Sequence, residues 1–219
     1  MIVVVTGTGT EVGKTWFTAA TITVVRASGR AVAARKPVQS FDPNDTSPTD
    51  AEVLARATGE APETVCPRHR WLGLAVAPPM AAVALGLEPF TIAELAAEVR
   101  AGAPAGADDE AVVFVEGAGG ARSPIADDGD TVSLAHALAA DRLVIVADAG
   151  LGTINSVRLT AAALGNWTPV VALNRYDDAD PLHRANRAWL SDRDGYEVVT
   201  SAAALAGTLT RPGTPRDRS

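Results

Sequence analysis

The 219-residue sequence is short of cations, of cysteine and of unbroken apolar stretches, and each shortage excludes something. Nineteen Lys and Arg stand against 26 Asp and Glu, for a formal net charge of −7. A field of that sign repels phosphate backbones, which argues against nucleic acid or an anionic membrane surface as partner. One cysteine, Cys66, cannot form an internal disulfide or a cysteine-rich zinc site. The three histidines are dispersed and form no cluster in the sequence. The opening MIVVVTGTGT lacks the basic and long apolar regions of a secretion signal. The longest uncharged run, Trp71 to Leu87, is broken by Pro78-Pro79 and falls short of the ~20 apolar residues of a membrane span. A soluble, cytoplasmic protein is expected. With 47% apolar and 21% charged residues, a chain of this length can bury one full core.

Lysine is the scarcest cation. Of the 19 basic residues 17 are Arg, and the two lysines are Lys14 and Lys36. A chain that uses Arg for generic surface charge keeps Lys where a compact ammonium is needed and a planar guanidinium does not fit. Both lysines stand beside strand-to-loop signals.

Short β-branched runs alternate with helical patterns. Strands are expected at Ile2–Val5, Ala31–Lys36, Ala111–Val115, Leu143–Ala147 and Pro169–Asn174. Helices are expected at Lys14–Ser28, Asp50–Thr58, from Pro78 or Pro79, after the capping box Thr91–Glu94, and at Thr131–Ala140, Thr153–Leu164 and Pro181–Leu190. Ala101–Asp109 reads as a flexible connector and Gly207–Ser219 as a disordered tail. The alternation predicts a single α/β domain over residues 1–206, with a mostly parallel sheet sandwiched by helices. Ligands of such a sheet gather at the carboxyl ends of its strands. Thr6-Gly7, Lys36, Glu116, Asp148 and Asn174 occupy those ends and are expected to share one crevice.

Between the first strand and first helix lies Gly7-Thr8-Gly9-Thr10-Glu11-Val12-Gly13-Lys14-Thr15, a phosphate-loop pattern. Its glycines let main-chain N–H groups curl round phosphate oxygens, Lys14 reaches the outer phosphates, and the Thr15 hydroxyl suits Mg²⁺. The strict pattern places glycine where Thr8 stands; here it is one residue earlier, at Gly7. Magnesium takes one or two carboxylates besides phosphate and water. Glu116, ending an apolar strand, and Asp50, opening a helix, are the carboxylates in position, although Asp50 equally suits a helix cap. Glu11 either faces solvent or holds a cationic group of a second substrate.

These motifs together resemble the dethiobiotin synthetases. The matching pieces are VTGTGTEVGKT (Val5–Thr15), RKPVQS (Arg35–Ser40), TDA (Thr49–Ala51), VEGAGG (Val115–Gly120) with Pro124 downstream, LGTIN (Leu151–Asn155) and VALN (Val171–Asn174). The resemblance implies a homodimeric P-loop fold that joins CO₂ to 7,8-diaminopelargonic acid with MgATP, giving dethiobiotin. It implies that Thr10 and Ser40 hold a carbamate, that Lys36 and Lys14 neutralise carbamate and phosphate charge, and that Thr15, Asp50 and Glu116 ligate Mg²⁺. The nucleotide would be held by the loop from Glu11 through Val12, Gly13, Lys14 and Thr15 to Trp16, by Gly117, Ala118 and Gly119, and by Asn174 at the base. Ser40, Gly119 and the segment Gly152, Thr153, Ile154 and Asn155 would bind the diamine, the segment partly across the dimer interface. The sequence departs from the family at Ala77, at Leu134, and at Tyr196–Ala202, which lacks the proline the family sets against adenine. That last departure leaves room for nucleoside triphosphates other than ATP. A cobyrinate-type amidotransferase would need a glutaminase domain with a Cys nucleophile, for which there is no room. A ParA/MinD-like switch ATPase would carry a second Lys early in its phosphate loop, where Thr8, Gly9 and Thr10 stand.

Overall fold

A computed structural model describes residues 1–102 and 111–209. In chain order the elements are β1 (Ile2–Gly7), α1 (Lys14–Ala27), β2 (Val32–Arg35), β3 (Gln39–Ser40), α2 (Asp50–Thr58), α3 (Pro62–Val65), β4 (Trp71–Leu72), α4 (Pro78–Ala84), α5 (Ile92–Ala101), β5 (Val112–Glu116), β6 (Pro124–Ala126), β7 (Gly129–Asp130), α6 (Thr131–Ala137), β8 (Arg142–Asp148), α7 (Thr153–Ala163), β9 (Val170–Asn174), α8 (Pro181–Ala188), β10 (Glu197–Val199) and α9 (Ala202–Thr208). Six strands form one parallel sheet in the order β10-β9-β8-β1-β5-β2. The central strands are apolar almost throughout because both of their faces are covered.

The pleat divides the core in two. Val3, Val5, Ala34, Phe114 and Val144 meet Phe17, Ile22 and Val25 of α1, Leu54 of α2 and Leu205 of α9. Val4, Ala33, Val115, Leu143 and Ile145 meet Ala81 of α4, Leu95 and Val99 of α5, Leu134 of α6 and Leu164. Leu134 is wholly buried here and serves packing. β1 lies between β5 and β8, so the strand order reverses there and a crevice opens beyond its carboxyl end.

Two small sheets escaped the sequence reading. β3 pairs with β4, setting Ser40 opposite Leu72, and β6 pairs antiparallel with β7. The strand β10 was missed as well, being three residues long with an exposed glutamate. Residues 207–209, expected to be disordered, are ordered: α9 runs through Thr208, and Leu209 is buried in the cluster that holds Phe17 and Val25. Residues 210–219, and the connector beyond Gly102, lie outside the described residues. Truncation after Ala206 therefore removes a buried leucine and should destabilise the protein by about 2–4 kcal/mol, read as a lower urea midpoint at unchanged slope. An unaltered midpoint would contradict this packing.

Candidate active site

The loop between β1 and α1 is shaped by its neighbours. A methyl at Gly7 would lie 2.8 Å from Val12 Cγ2 and 3.0 Å from Lys14 Cδ, which accounts for glycine at this position. Gly13 has φ 86°, and a Cβ there would fall 2.0 Å from Asn174 Nδ2, so the position admits glycine alone. The Asn174 amide donates to the Val12 carbonyl at 3.0 Å. Lys14 Nζ donates to the Gly9 carbonyl at 2.9 Å, arching over the loop.

Opposite the loop, four side chains interlock. The Lys36 ammonium is 2.6 Å from Asp50 Oδ2 and 2.9 Å from Glu116 Oε1, and it donates to the Gly117 carbonyl at 3.0 Å. The Thr15 hydroxyl lies 2.7 Å from Asp50 Oδ1 and 2.8 Å from Glu116 Oε1, one proton between two acceptors. Lys36 is 2% exposed and Glu116 is fully buried. Asp50 is not the cap of its helix: Thr49 and Glu52 form a capping box, which frees the Asp50 carboxylate for the site. Gln39, which lies in the RKPVQS motif but was given no role in the sequence, accepts from the Ala51 N–H at 3.0 Å and fixes the start of α2.

The two ammonium groups titrate in opposite directions. Burial alone would lower Lys36, but the charges of Asp50 and Glu116 outweigh it and hold its pKa above the ordinary lysine value. Lys14 is lowered, by burial first and then by Lys36 beside it. Asp50 sits below the usual carboxylate range: burial opposes this, and the Lys36 ammonium, with hydrogen bonds from Lys36 and Thr15, prevails. An acid strengthened in the folded state stabilises above its unfolded pKa of ~3.9, and that contribution disappears as pH falls through the lower folded value. The melting temperature should thus drop below about pH 4, and Asp50→Asn should flatten that acid limb. Parallel melting curves for the two proteins between acid and neutral pH would refute the assignment.

The oxygen set Thr15, Asp50 and Glu116 meets the needs of magnesium. Glu116 Oε2 is buried with no hydrogen-bond partner among the described residues, so one carboxylate lone-pair face is left for a cation. Among the described residues no group of three or more His, Cys, Asp or Glu could hold a metal ion.

A cavity of about 500 Å³ opens over these groups. Thr10, Glu11, Gly13, Lys14, Thr15 and Trp16 line one wall, Lys36, Ser40 and Asp50 a second, and Ala118, Gly119, Ser123 and Pro124 a third. Ala75–Pro78 close it with apolar surface, so Ala77 faces the cavity without a hydroxyl. A second cavity of about 620 Å³ adjoins it across Gly13 and Trp16 and is lined by Asn174, Arg175, Tyr176 and Thr200–Ala202.

Residues 2–201 match the family model described as "AAA domain". The ATP-dependent dethiobiotin synthetase of Anaeromyxobacter dehalogenans strain 2CP-C is 40% identical over 221 residues, covering 94% of this chain and 95% of its own. Those of Streptomyces avermitilis and Streptomyces coelicolor are 39% and 36% identical, covering 97% and 95% of this chain and 87% and 86% of their own. The chain belongs to the ATP-dependent dethiobiotin synthetase family. Among solved structures it resembles chloroplast FtsY from Physcomitrella patens (13% identity, TM-score 0.54, 96% of this chain and 65% of that one). Cell division protein FtsY from Thermotoga maritima is similar (11%, TM-score 0.52, 97% and 69%). At such identities the likeness is one of fold alone.

Seen as a dethiobiotin synthetase, the chain brings most of its expected site together. Val12, Glu116 and Gly117 stand behind the cavity wall, holding Asn174, Thr15 and Lys36. Gly152, Thr153, Ile154 and Asn155 do not line either cavity; they start α7, with Gly152 at φ 91° as its N-cap. Of the five strand ends expected to share one crevice, Lys36 lines the first cavity and Asn174 the second, whereas Thr6, Gly7 and Asp148 line neither. The Asp148 carboxylate accepts from the Gly150 N–H and from Arg175, at 2.9 Å each. Arg175 itself, which the sequence reading passed over, follows Asn174 with φ 55°. The lone thiol is outside this chemistry, since burial pushes Cys66 up to about 12.

Proposed function

We propose that this chain carboxylates 7,8-diaminopelargonic acid and closes the ureido ring of dethiobiotin at the expense of ATP, in the cytoplasm and as a homodimer. One amine captures CO₂ as a carbamate. A carbamate oxygen attacks the γ-phosphate, ADP departs, and the second amine then attacks the carbonyl carbon of the mixed anhydride while phosphate leaves with the bridging oxygen. Three anions must meet, so the reaction needs placed positive charge more than covalent machinery. Lys36 and Lys14 supply it. Thr10 and Ser40 line the same cavity, where their hydroxyls would orient the carbamate, with Gly119 against the diamine. Glu11 and Trp16, at the cavity's rim, would flank the nucleotide. Asn174 and the second cavity would take the base, and the absence of a proline in Tyr196–Ala202 suits triphosphates beyond ATP. Thr15, Asp50 and Glu116 would hold Mg²⁺, which when bound offsets phosphate charge. The α7 start at Gly152–Asn155 would bind the diamine's carboxylate through main-chain N–H groups, in the cavity of the neighbouring subunit.

One observation carries this reading: Lys36 is buried between Asp50 and Glu116 and yet lines the cavity that Thr10, Lys14 and Ser40 share. Nucleotide hydrolysis measured with and without the diamine and bicarbonate tests it. Hydrolysis should depend on both; a rate indifferent to them would mark a switch ATPase instead.

A further inference from the structure

The phosphate loop has a feature that neither its motif nor the reaction accounts for. Glu11 is not glycine and yet has φ 61°, and Gly13 follows at φ 86°. Left-handed residues on either side of Val12 are the geometry with which successive N–H groups curl into an anion-binding concavity, the carbonyls turning away from it. A side chain in this region is uncommon and costs conformational energy, so surrounding contacts must hold it.

Two consecutive residues at the end of β9 supply those contacts. Asn174 Nδ2 donates to the Val12 carbonyl and Arg175 Nη2 donates to the Glu11 carbonyl, each at 3.0 Å. The chain bends sharply to allow this, with Arg175 at φ 55°. The other arm of the guanidinium donates to Asp148 Oδ2 at 2.9 Å, and Asp148 Oδ1 receives the Gly150 N–H at 2.9 Å. The ends of β8 and β9 are thereby tied to the back of the loop at two adjacent carbonyls.

We infer that Arg175 is a positioning residue for nucleotide binding: from Asp148 it braces the Glu11 carbonyl outward, and so keeps the loop's N–H groups aimed at the phosphates before any ligand arrives. A lysine has a single donor centre and cannot span both acceptors as the planar fork does. The brace works through the main chain, so it serves the phosphate chain irrespective of the base attached to it. The inference rests on the loop binding phosphates, as the proposed function requires, and is independent of the carboxylated substrate.

Equilibrium binding of ATP and of inorganic tripolyphosphate, each with Mg²⁺, tests it in the wild type, Arg175→Ala and Arg175→Lys. The loss of one net hydrogen bond should weaken both ligands by about fivefold in Arg175→Ala. Arg175→Lys should retain part of the affinity for both. The melting temperature should stay near the wild-type value, because the Arg175 side chain is 59% exposed. Weakening confined to ATP would make Arg175 a contact of the second cavity and overturn the brace, as would unchanged binding of both ligands. A wild type that bound neither would contradict the phosphate-loop reading itself, and the brace with it.

Discussion

Lys36→Arg should lower turnover by about 10²-fold or more while the protein still folds and binds nucleotide. The native ammonium reaches Asp50, Glu116 and the Gly117 carbonyl within 3.0 Å from a buried position at the cavity wall. A guanidinium keeps the charge but spreads it over a plane that this space does not hold, so the cation must shift relative to the reacting anions. A displacement of about 1 Å at a reaction centre is enough for a loss of that order. The cost in stability should be about 1–3 kcal/mol, the range for an overpacked interior site, because both carboxylates keep a cationic partner. Single-turnover product formation, with nucleotide affinity measured alongside, separates the two effects. Wild-type turnover in this variant would remove Lys36 from the chemistry and leave it a buried structural ion pair.

Glu116→Gln should raise the Mg²⁺ concentration needed for half-maximal activity by about tenfold or more, a loss of the size that follows even from removing a metal's supporting contacts. The substitution is nearly isosteric, and Gln can still accept from Thr15 and Lys36 through its carbonyl oxygen. What it loses is the second oxygen, the buried Oε2 that has no hydrogen-bond partner among the described residues. The amide that replaces it presents hydrogens where a cation would sit. A magnesium titration of activity that superimposes on the wild type would assign Glu116 to anchoring Lys36 alone.

The parts of this site that were legible in the sequence are those whose residue type is costly anywhere else. A glutamate ending an apolar strand, two lysines in a chain that otherwise uses arginine, and a glycine-rich turn before a helix each announce themselves locally. The five core strands were legible for a related reason, since strands covered on both faces are apolar without interruption. What was hidden depends on distant pairing. Nothing in Gln39-Ser40 foretells its pairing with Trp71-Leu72, which aligns Ser40 beside the cavity. Asp148 was expected to face the crevice with the other strand ends, and Arg175 drew no expectation at all. Only the neighbouring positions of β8 and β9 make them partners and aim the guanidinium at Glu11. α9 was missed altogether, because its seven residues are mostly alanine and Gly207 interrupts the pattern, while Leu209 beyond it still reaches the core.

Bicarbonate carrying the heavy oxygen isotope provides the most direct measurement. In a single turnover with the diamine and MgATP, the inorganic phosphate released should carry one oxygen from bicarbonate, because the carbamate oxygen becomes the bridge to phosphorus and departs with it. Dethiobiotin formed with phosphate free of the label would mean that the carbamate never attacked the nucleotide, contradicting the role assigned to the cleft.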